Sequence, residues 1–355
     1  MISLFGVPDI DHDKSTANNN ISSATLIAVL SHYTLGQVTA VTQLNRGSRL
    51  SQKWVVKSTN GTYLLKKRNL LLQHRSHMSL AHQVQDFLRQ FGYPVAELIK
   101  TSKSKCAYVS HDKEVYELTS FIHGSRFDGS VEETLDAGKH LSYFHELLLN
   151  FKSEQPFHAR SYHQQKMVEK QIQKLIAQLK KIDVSPDHAE QVANHLAACY
   201  QKAGALAEGE SAFIKEQVIS HGDYHSGNLL FADGKMVALI DFDSLRLTSR
   251  LEDIANGCLQ FSLVVKTKDL KNWPPEIHIA RAKAFLTGVS ATLAHSESQM
   301  KCIVALMAES LIAEAVAPSH WQVHFSTQAG ADFIDMVIRK VDWLLNKGYD
   351  QIKKQ

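Results

Sequence analysis

Cysteine is scarce in this sequence of 355 residues, and the four cysteines, Cys106, Cys199, Cys258 and Cys302, form no C-x-x-C pair. A zinc site or redox motif of that spacing is therefore not indicated, and scattered thiols are typical of a reducing compartment. An excess of charge of one sign is also lacking, because 39 basic residues stand against 36 acidic ones. We therefore expect no nucleic-acid partner, since such partners require a strongly basic surface.

Long apolar runs are lacking as well. The longest, such as residues 24–30, are far too short to cross a bilayer, so we expect no membrane partner. No signal peptide is recognisable, because the mildly apolar residues 1–8 are followed at once by the polar residues 9–20. A chain of this length with 44% hydrophobic residues predicts a cytoplasmic globular protein with two domains or lobes.

Apolar periodicity predicts a flexible lead-in over residues 1–24, a β-rich N-terminal lobe over residues 25–122 and a mainly helical C-terminal lobe over residues 123–355. In the first lobe we predict strands 37–44, 53–58 and 62–68, a helix 79–91, and strands 107–110 and 114–121. In the second lobe the predicted strands are confined to 217–220, 229–231 and 236–241. The fold class is therefore α+β with two lobes.

The most informative segment is the run H-G-D-Y-H-S-G-N that begins at His221, followed by I-D-F-D from Ile240. Asp223 and Asn228 are five positions apart, the offset between the aspartate and the asparagine in the catalytic loop of protein kinases. Phosphoryl transfer depends on positioning and on charge neutralisation by magnesium, whose preferred ligands are oxygen atoms. We expect a tight loop to place both residues on one wall of a cleft, to which the next strand adds Asp241.

With E-D-I-A from Glu252 and the predicted order of the lobes, these motifs resemble the aminoglycoside-phosphotransferase/choline-kinase family over about residues 25–345. The resemblance implies a protein-kinase-like fold that uses ATP and Mg²⁺. The implied reaction is transfer of the γ-phosphate to the hydroxyl of a small molecule, such as an amino alcohol, an aminoglycoside, a sugar or homoserine.

The same resemblance assigns roles to individual residues. Asp223 would be the catalytic base, and Asn228 and Asp241 would be magnesium ligands. Asp243 would assist a second metal ion or be a solvated carboxylate. Asp253, at the start of a helix, would brace the catalytic loop.

The smaller lobe would hold the nucleotide. At a predicted turn, the backbone of Arg46, Gly47 and Ser48 would cover the phosphates, although an ordinary β-turn explains these residues equally well. The segment Y-L-L-K-K resembles the kinase strand that carries the ATP-binding lysine. Because neighbouring strand residues face opposite sides, only Lys66 or Lys67 can enter the cleft, and we favour Lys66.

Residues 117–122 would form the hinge between the lobes. There the backbone, represented by Thr119 and Phe121, would contact the adenine. The helix that should orient the lysine contains no glutamate, and His82 or Gln83 lies nearest the expected place.

Three alternatives compete with the kinase interpretation. The missing helix glutamate favours a catalytically weak, nucleotide-binding regulatory module. A protein kinase is disfavoured, because residues 244–250 lead straight towards Glu252 without an A-P-E segment. A metal-hydrolase cluster of His221, Asp223 and His225 would leave Asn228 and Asp241 unexplained.

Overall fold

The computed structural model describes nine stretches of the chain, namely residues 21–44, 52–68, 75–153, 155–182, 184–208, 214–264, 269–289, 296–317 and 327–353. The first part contains α1 (Ser23–Leu30), β1 (Val38–Gln43), β2 (Lys53–Ser58), β3 (Gly61–Arg68), α2 (Arg75–Gln90), β4 (Tyr108–His111) and β5 (Glu114–Ser120). These strands form an antiparallel sheet in the order β1-β2-β3-β5-β4. The strands predicted for the smaller lobe are therefore present, with ends displaced by a residue or two.

In the sheet, β2 alternates between buried and accessible residues, whereas β5 has four consecutive buried residues. Trp54 and Val56 of β2 and Leu65 of β3 are buried together with apolar residues of α1, β4 and β5 in one cluster. The turn at Asn60 and Gly61 joins β2 to β3 and sets the register in which Lys53 is opposite Lys66. That register determines which lysine reaches the cleft.

The helix α2 begins four residues earlier than predicted and packs mainly against the larger core. Its buried residues Ala81, Val84 and Leu88 belong to the same hydrophobic cluster as α3 and the other helices. The lobe boundary at residue 122 stays a prediction, because this core draws on residues from both sides of it.

The second part is mainly helical. Its helices are α3 (Val131–Leu148), α4 (Lys166–Lys181), α5 (Pro186–Ala207), α6 (Arg250–Ser262), α7 (Ile279–Val289), α8 (Glu297–Ala315), α9 (Thr327–Trp343) and α10 (Tyr349–Lys353), with a π-helical turn at Leu344–Gly348. Serine side chains cap several helix starts: Ser130 accepts from the N–H of Glu133, and Ser296 forms a capping box with Gln299. The predicted two-lobed α+β fold is confirmed.

Two short two-stranded antiparallel sheets interrupt the helical part. β7 (Leu229–Ala232) pairs with β8 (Lys235–Leu239), and β6 (Gln217–Ser220) pairs with β9 (Arg246–Ser249). The strand β9 was not predicted, because a four-residue strand depends on its partner and not on its own pattern. Together the two strand pairs flank the loop that begins at His221.

Across the described ranges, no helix combines the length and the apolar character that crossing a membrane requires.

Candidate active site

The loop from His221 to Asn228 is held in a tight bend. Gly222 has φ +77°, and a Cβ at this position would lie 2.0 Å from the carbonyl oxygen of Ser244. Only glycine fits there, for both backbone conformation and space. The N–H of Gly222 donates to the hydroxyl of Ser220 at 2.9 Å. This bend directs Asp223 away from β6 towards the strand that follows Asn228.

Asp253 is hydrogen-bonded to Ser220, the residue that precedes this bend. Its Oδ1 accepts a 2.9 Å hydrogen bond from Ser220, and its Oδ2 accepts a 2.7 Å bond from His145. All three side chains are buried. Although burial alone would raise the pKa of Asp253, the hydrogen bond and charge of His145 lower it below its usual value. Asp253 therefore contacts the loop through Ser220.

Asp223 and Asn228 are in direct contact. The side-chain amide of Asn228 donates to the carbonyl oxygen of Asp223 and to its Oδ2, both at 2.9 Å. His225 Nε2 lies 3.5 Å from the same carboxylate oxygen. Although burial alone would raise the pKa of Asp223, the contact with His225 outweighs it and keeps this pKa below its usual value. Asp223 is therefore a buried carboxylate held in its ionised form.

A backbone hydrogen bond places Asp241 next to Asp223 and Asn228. The N–H of Ile240 donates to the carbonyl of Asn228 at 2.9 Å, and His221 Nε2 contacts the carbonyl of Ile240 at 3.1 Å. Asp241 itself has φ +68°, a left-handed conformation that is rare for residues other than glycine. Strain of this kind is concentrated at functional sites, and here it turns the carboxylate towards the smaller lobe.

Lys66 crosses from the smaller lobe to meet that carboxylate. Its Nζ lies 2.8 Å from Asp241 Oδ1 and 2.9 Å from Asp243 Oδ2. Although burial alone would raise the pKa of Asp241, the charge of Lys66, with that of Lys53, lowers it far below its usual value. Arg68 is the second cation against Asp243, so Asp243 is an ion-paired carboxylate. Lys67 faces the other way and pairs with Glu114 at 2.8 Å.

A buried carboxylate lies beside the β3 cations on β5, and its direct partners are Arg68 and His82 rather than Lys66. Glu117 is opposite Lys66 in the sheet register, and its Oε2 accepts hydrogen bonds of 2.6 Å from both Arg68 and His82. Although burial alone would raise the pKa of Glu117, the charge of Arg68 lowers it far below its usual value. The only signal in the sequence was a charged residue inside an apolar strand, between Tyr116 and Leu118.

The structure describes only some of the residues that were predicted to contact the nucleotide. Arg46, Gly47 and Ser48 lie outside the described residues. Thr119 is on β5 opposite Leu64. The N–H of Phe121 donates to the carbonyl of Thr62 at 3.0 Å, so it is not available to an adenine ring. A nucleotide contact from Phe121 would therefore require its carbonyl oxygen or its ring.

The three residues of the metal-hydrolase alternative do not form one cluster, because His225 meets Asp223 whereas His221 points to a backbone carbonyl. His221 is fully buried among aromatic rings and uses its Nε2 on a backbone carbonyl. His225 accepts a hydrogen bond from the N–H of Gly227 at Nδ1. With one nitrogen of each ring so used, neither histidine aims a free lone pair at Asp223.

The donor set at this cleft suits magnesium. The amide oxygen of Asn228 takes no part in its two hydrogen bonds to Asp223, which use the amide nitrogen. The carboxylates of Asp241 and Asp243 both meet the ammonium of Lys66, so this point already attracts a cation. Amide and carboxylate oxygens are the ligands that magnesium prefers.

Glu314 is a buried acid of α8 near the loop that begins at His221, and sequence reasoning did not single it out. The amide nitrogen of Gln260 donates to its two oxygens at 3.3 and 3.2 Å. Burial and the nearby charge of Asp223 raise the pKa of Glu314 to about 7. Among the described residues, the amide oxygen of Gln260 is one of the buried side-chain atoms without a hydrogen-bond partner. The amide oxygen of Gln260 and the carboxylate of Glu314 can therefore accept hydrogen bonds from a further donor.

The two lobes and the cleft carboxylates define a kinase-like phosphotransferase. A sequence profile of the phosphotransferase enzyme family matches residues 40–289, more than half of the chain. The chain belongs to this family, and the resemblance noted in its sequence is confirmed. It is therefore an enzyme. A comparison with curated protein sequences gave no match.

Solved structures share the fold at low sequence identity. An aminoglycoside phosphotransferase from Alicyclobacillus acidocaldarius is 18% identical, with a TM-score of 0.66, and the match covers 92% of this chain and 96% of that one. A spectinomycin phosphotransferase is 13% identical, with a TM-score of 0.62 and coverage of 94% and 99%. Choline kinase from Cryptosporidium parvum is 14% identical, with a TM-score of 0.58 and coverage of 88% and 91%. At these identities the likeness shows the fold.

Proposed function

We propose that this enzyme transfers the γ-phosphate of ATP, with magnesium, to a hydroxyl group of a small molecule. The observation that carries the proposal is the convergence of three side chains. Asp223 and Asn228 are joined by a 2.9 Å hydrogen bond, and the backbone bond between Ile240 and Asn228 holds Asp241 beside them. A reaction of this kind needs a carboxylate at the acceptor and oxygen ligands at the phosphates.

Each residue then has a distinct task. Asp223, kept ionised in the protein, orients the acceptor hydroxyl and accepts its proton. Asn228 and Asp241 would hold magnesium, and Asp243 would add oxygen ligands beside them. When bound, magnesium supplies neutralisation of the phosphate charge. A cytoplasmic reaction, where ATP and magnesium are abundant, is part of the proposal.

The smaller lobe would hold the nucleotide. Lys66 would contact the phosphates, since it is the lysine that enters the cleft. The solved spectinomycin phosphotransferase contains ADP, and the structure of an amicoumacin kinase contains AMP-PNP and Ca²⁺. These relatives support a nucleotide with a divalent metal ion, and the amide and carboxylate oxygens here suit a hard divalent cation such as magnesium.

The acceptor would be small because there is no room for a protein-docking segment after Asp241. A 3₁₀ turn at Phe242–Ser244, the strand β9 and the first turn of α6 take up the chain as far as Asp253. The acidic Glu314 near Asp223 favours an acceptor that carries a positive charge. Glu252 is unavailable for that task, because its carboxylate accepts from Ser161 and from the N–H of Tyr162.

A screen for ADP release tests this proposal. Amino alcohols, aminoglycosides, sugars and homoserine would each be added to enzyme, ATP and magnesium, with Asp223→Asn as the inactive control. We expect turnover with at least one small alcohol and no transfer of labelled γ-phosphate to proteins of a cell extract. Labelling of one extract protein that is lost in Asp223→Asn, without turnover of any small alcohol, would identify a protein kinase. Nucleotide binding without any transfer would favour the regulatory module.

The pH dependence of acceptor binding tests the role of Glu314. Because its pKa is raised to about 7, Glu314 is largely neutral at pH 6 and largely ionised at pH 8. For a cationic acceptor, KM should therefore fall by up to about tenfold over this range, as the ionised fraction rises. The Glu314→Gln variant should bind such an acceptor weakly and with a flat profile. The same steep profile in that variant would show that another group is responsible.

A further inference from the structure

A cluster of three potential metal ligands lies outside the cleft, between α5 and α9. His195 and Cys199 are four residues apart on α5, which puts them on the same helix face, and Asp342 approaches them from α9. In the part of the chain that the structure describes, this is the one group of three or more histidine, cysteine or acidic residues whose ligand atoms lie within 4.8 Å of one another.

Two of the three distances between the ligand atoms match those around a tetrahedral metal ion. Cys199 Sγ lies 3.6 Å from His195 Nε2 and 3.7 Å from Asp342 Oδ1. Zinc bound to sulfur, nitrogen and oxygen at their usual bond lengths would separate these atoms by about 3.4 to 3.6 Å. The third pair, His195 Nε2 and Asp342 Oδ1, lies at 2.8 Å and shares a hydrogen bond that a metal ion would replace.

The geometry argues against a nucleophilic triad. In a triad the carboxylate contacts one ring nitrogen and the nucleophile contacts the other. Here Cys199 and Asp342 both meet Nε2 of His195. The sulfur of Cys199, Nε2 of His195 and an oxygen of Asp342 instead face one point, as the ligand atoms of a metal site do.

The surroundings allow a metal ion to enter. The side chains of His195 and Asp342 are 45% and 41% exposed, whereas Cys199 is buried behind them. Solvent therefore reaches the open side and can provide the fourth ligand. Lys202, a cation on α5 near Cys199, is engaged elsewhere, because its ammonium donates to the amide oxygen of Asn346 at 2.9 Å.

We propose that His195, Cys199 and Asp342 form a binding site for Zn²⁺ or a similar divalent ion, which fastens helix α9 to α5. Binding exchanges the thiol proton of Cys199 for a sulfur–metal bond and releases that proton to solvent, while His195 binds through neutral Nε2. Asp342 supplies a carboxylate oxygen, and water completes the coordination. The site is independent of the phosphotransferase chemistry.

Cobalt provides a direct test, because a thiolate ligand produces a sulfur-to-cobalt charge-transfer band. The full-length protein would be stripped with a chelator and titrated with Co²⁺ in the presence of excess Mg²⁺, which occupies oxygen sites such as the cleft. We expect one equivalent to produce the band and Zn²⁺ to abolish it by displacement. Cys199→Ser should remove the band, and His195→Ala or Asp342→Asn should weaken binding at least about tenfold.

Two variants serve as matched controls. Cys106→Ser removes an exposed cysteine elsewhere, and His188→Ala removes another exposed histidine of α5, so both should leave the titration unchanged. Zn²⁺ should also raise the unfolding temperature of the wild type more than that of His195→Ala, a surface variant expected to fold. Absence of the band, its loss in Cys106→Ser, or an unchanged titration in any variant of the three ligands would overturn the site.

Discussion

Replacing Asp223 by asparagine should lower kcat by about 10²- to 10⁴-fold while the KM for ATP changes little, because a general base acts on the transition state. Asparagine has nearly the same shape, and its amide oxygen can still accept the 2.9 Å hydrogen bond from Asn228. The loop should therefore keep its conformation and lose only the charge that receives the proton. Steady-state kinetics with the acceptor found by the ADP-release screen would measure the effect.

Asp136→Asn is a suitable control for this experiment. Asp136 is also a buried carboxylate, but it accepts from the N–H of Met236 at 2.7 Å and lies outside the cleft. Its replacement should change kcat only slightly, even where it lowers the unfolding temperature. Turnover of Asp223→Asn close to that of the wild type would remove Asp223 from the role of base.

Replacing Lys66 by methionine should reduce kcat/KM for ATP on the order of 10²-fold or more, whereas the same change at Lys67 should have little effect. Lys66 is 11% exposed and lies between Asp241 and Asp243, at the point where the phosphates would be held. Loss of one preorganised charge at a transition state has an effect of this size. Lys67 forms a half-exposed ion pair with Glu114, and such pairs contribute little.

The comparison of the two lysines also has a readout in binding. Methionine keeps most of the length of the lysine side chain, so packing in β3 is preserved in both variants. Nucleotide affinity measured by calorimetry should fall in Lys66→Met and stay near the wild-type value in Lys67→Met. The opposite ranking would mean that the functional face of β3 is the one that carries Lys67.

Much of the site could be predicted because it is local in sequence. Asp223 and Asn228 are five positions apart in one loop, and a hairpin of short strands separates Asn228 from Asp241. Local turns and strand pairing can bring such residues together without help from the rest of the chain. Strand alternation predicted that only one of Lys66 and Lys67 enters the cleft, and in the structure Lys66 contacts Asp241 whereas Lys67 contacts Glu114.

Other features depended on contacts between distant segments. The orienting glutamate was sought on α2, but Glu117 on β5 is the acid that meets Arg68 and His82. A charged residue in an apolar strand is uninformative until its neighbours across the sheet are known, because burial of a charge requires specific partners.

The sequence by itself determined the family, the order of the lobes and the spacing of the three residues at the centre of the cleft, since these follow from local periodicity and short motifs. Only the tertiary structure decided which buried acids lie near them, and which helices bring His195 and Cys199 to Asp342. Those three residues are up to 147 positions apart, and no local pattern relates α5 to α9. Their meeting is set by how the helices pack to bury their apolar faces, which is a property of the whole core.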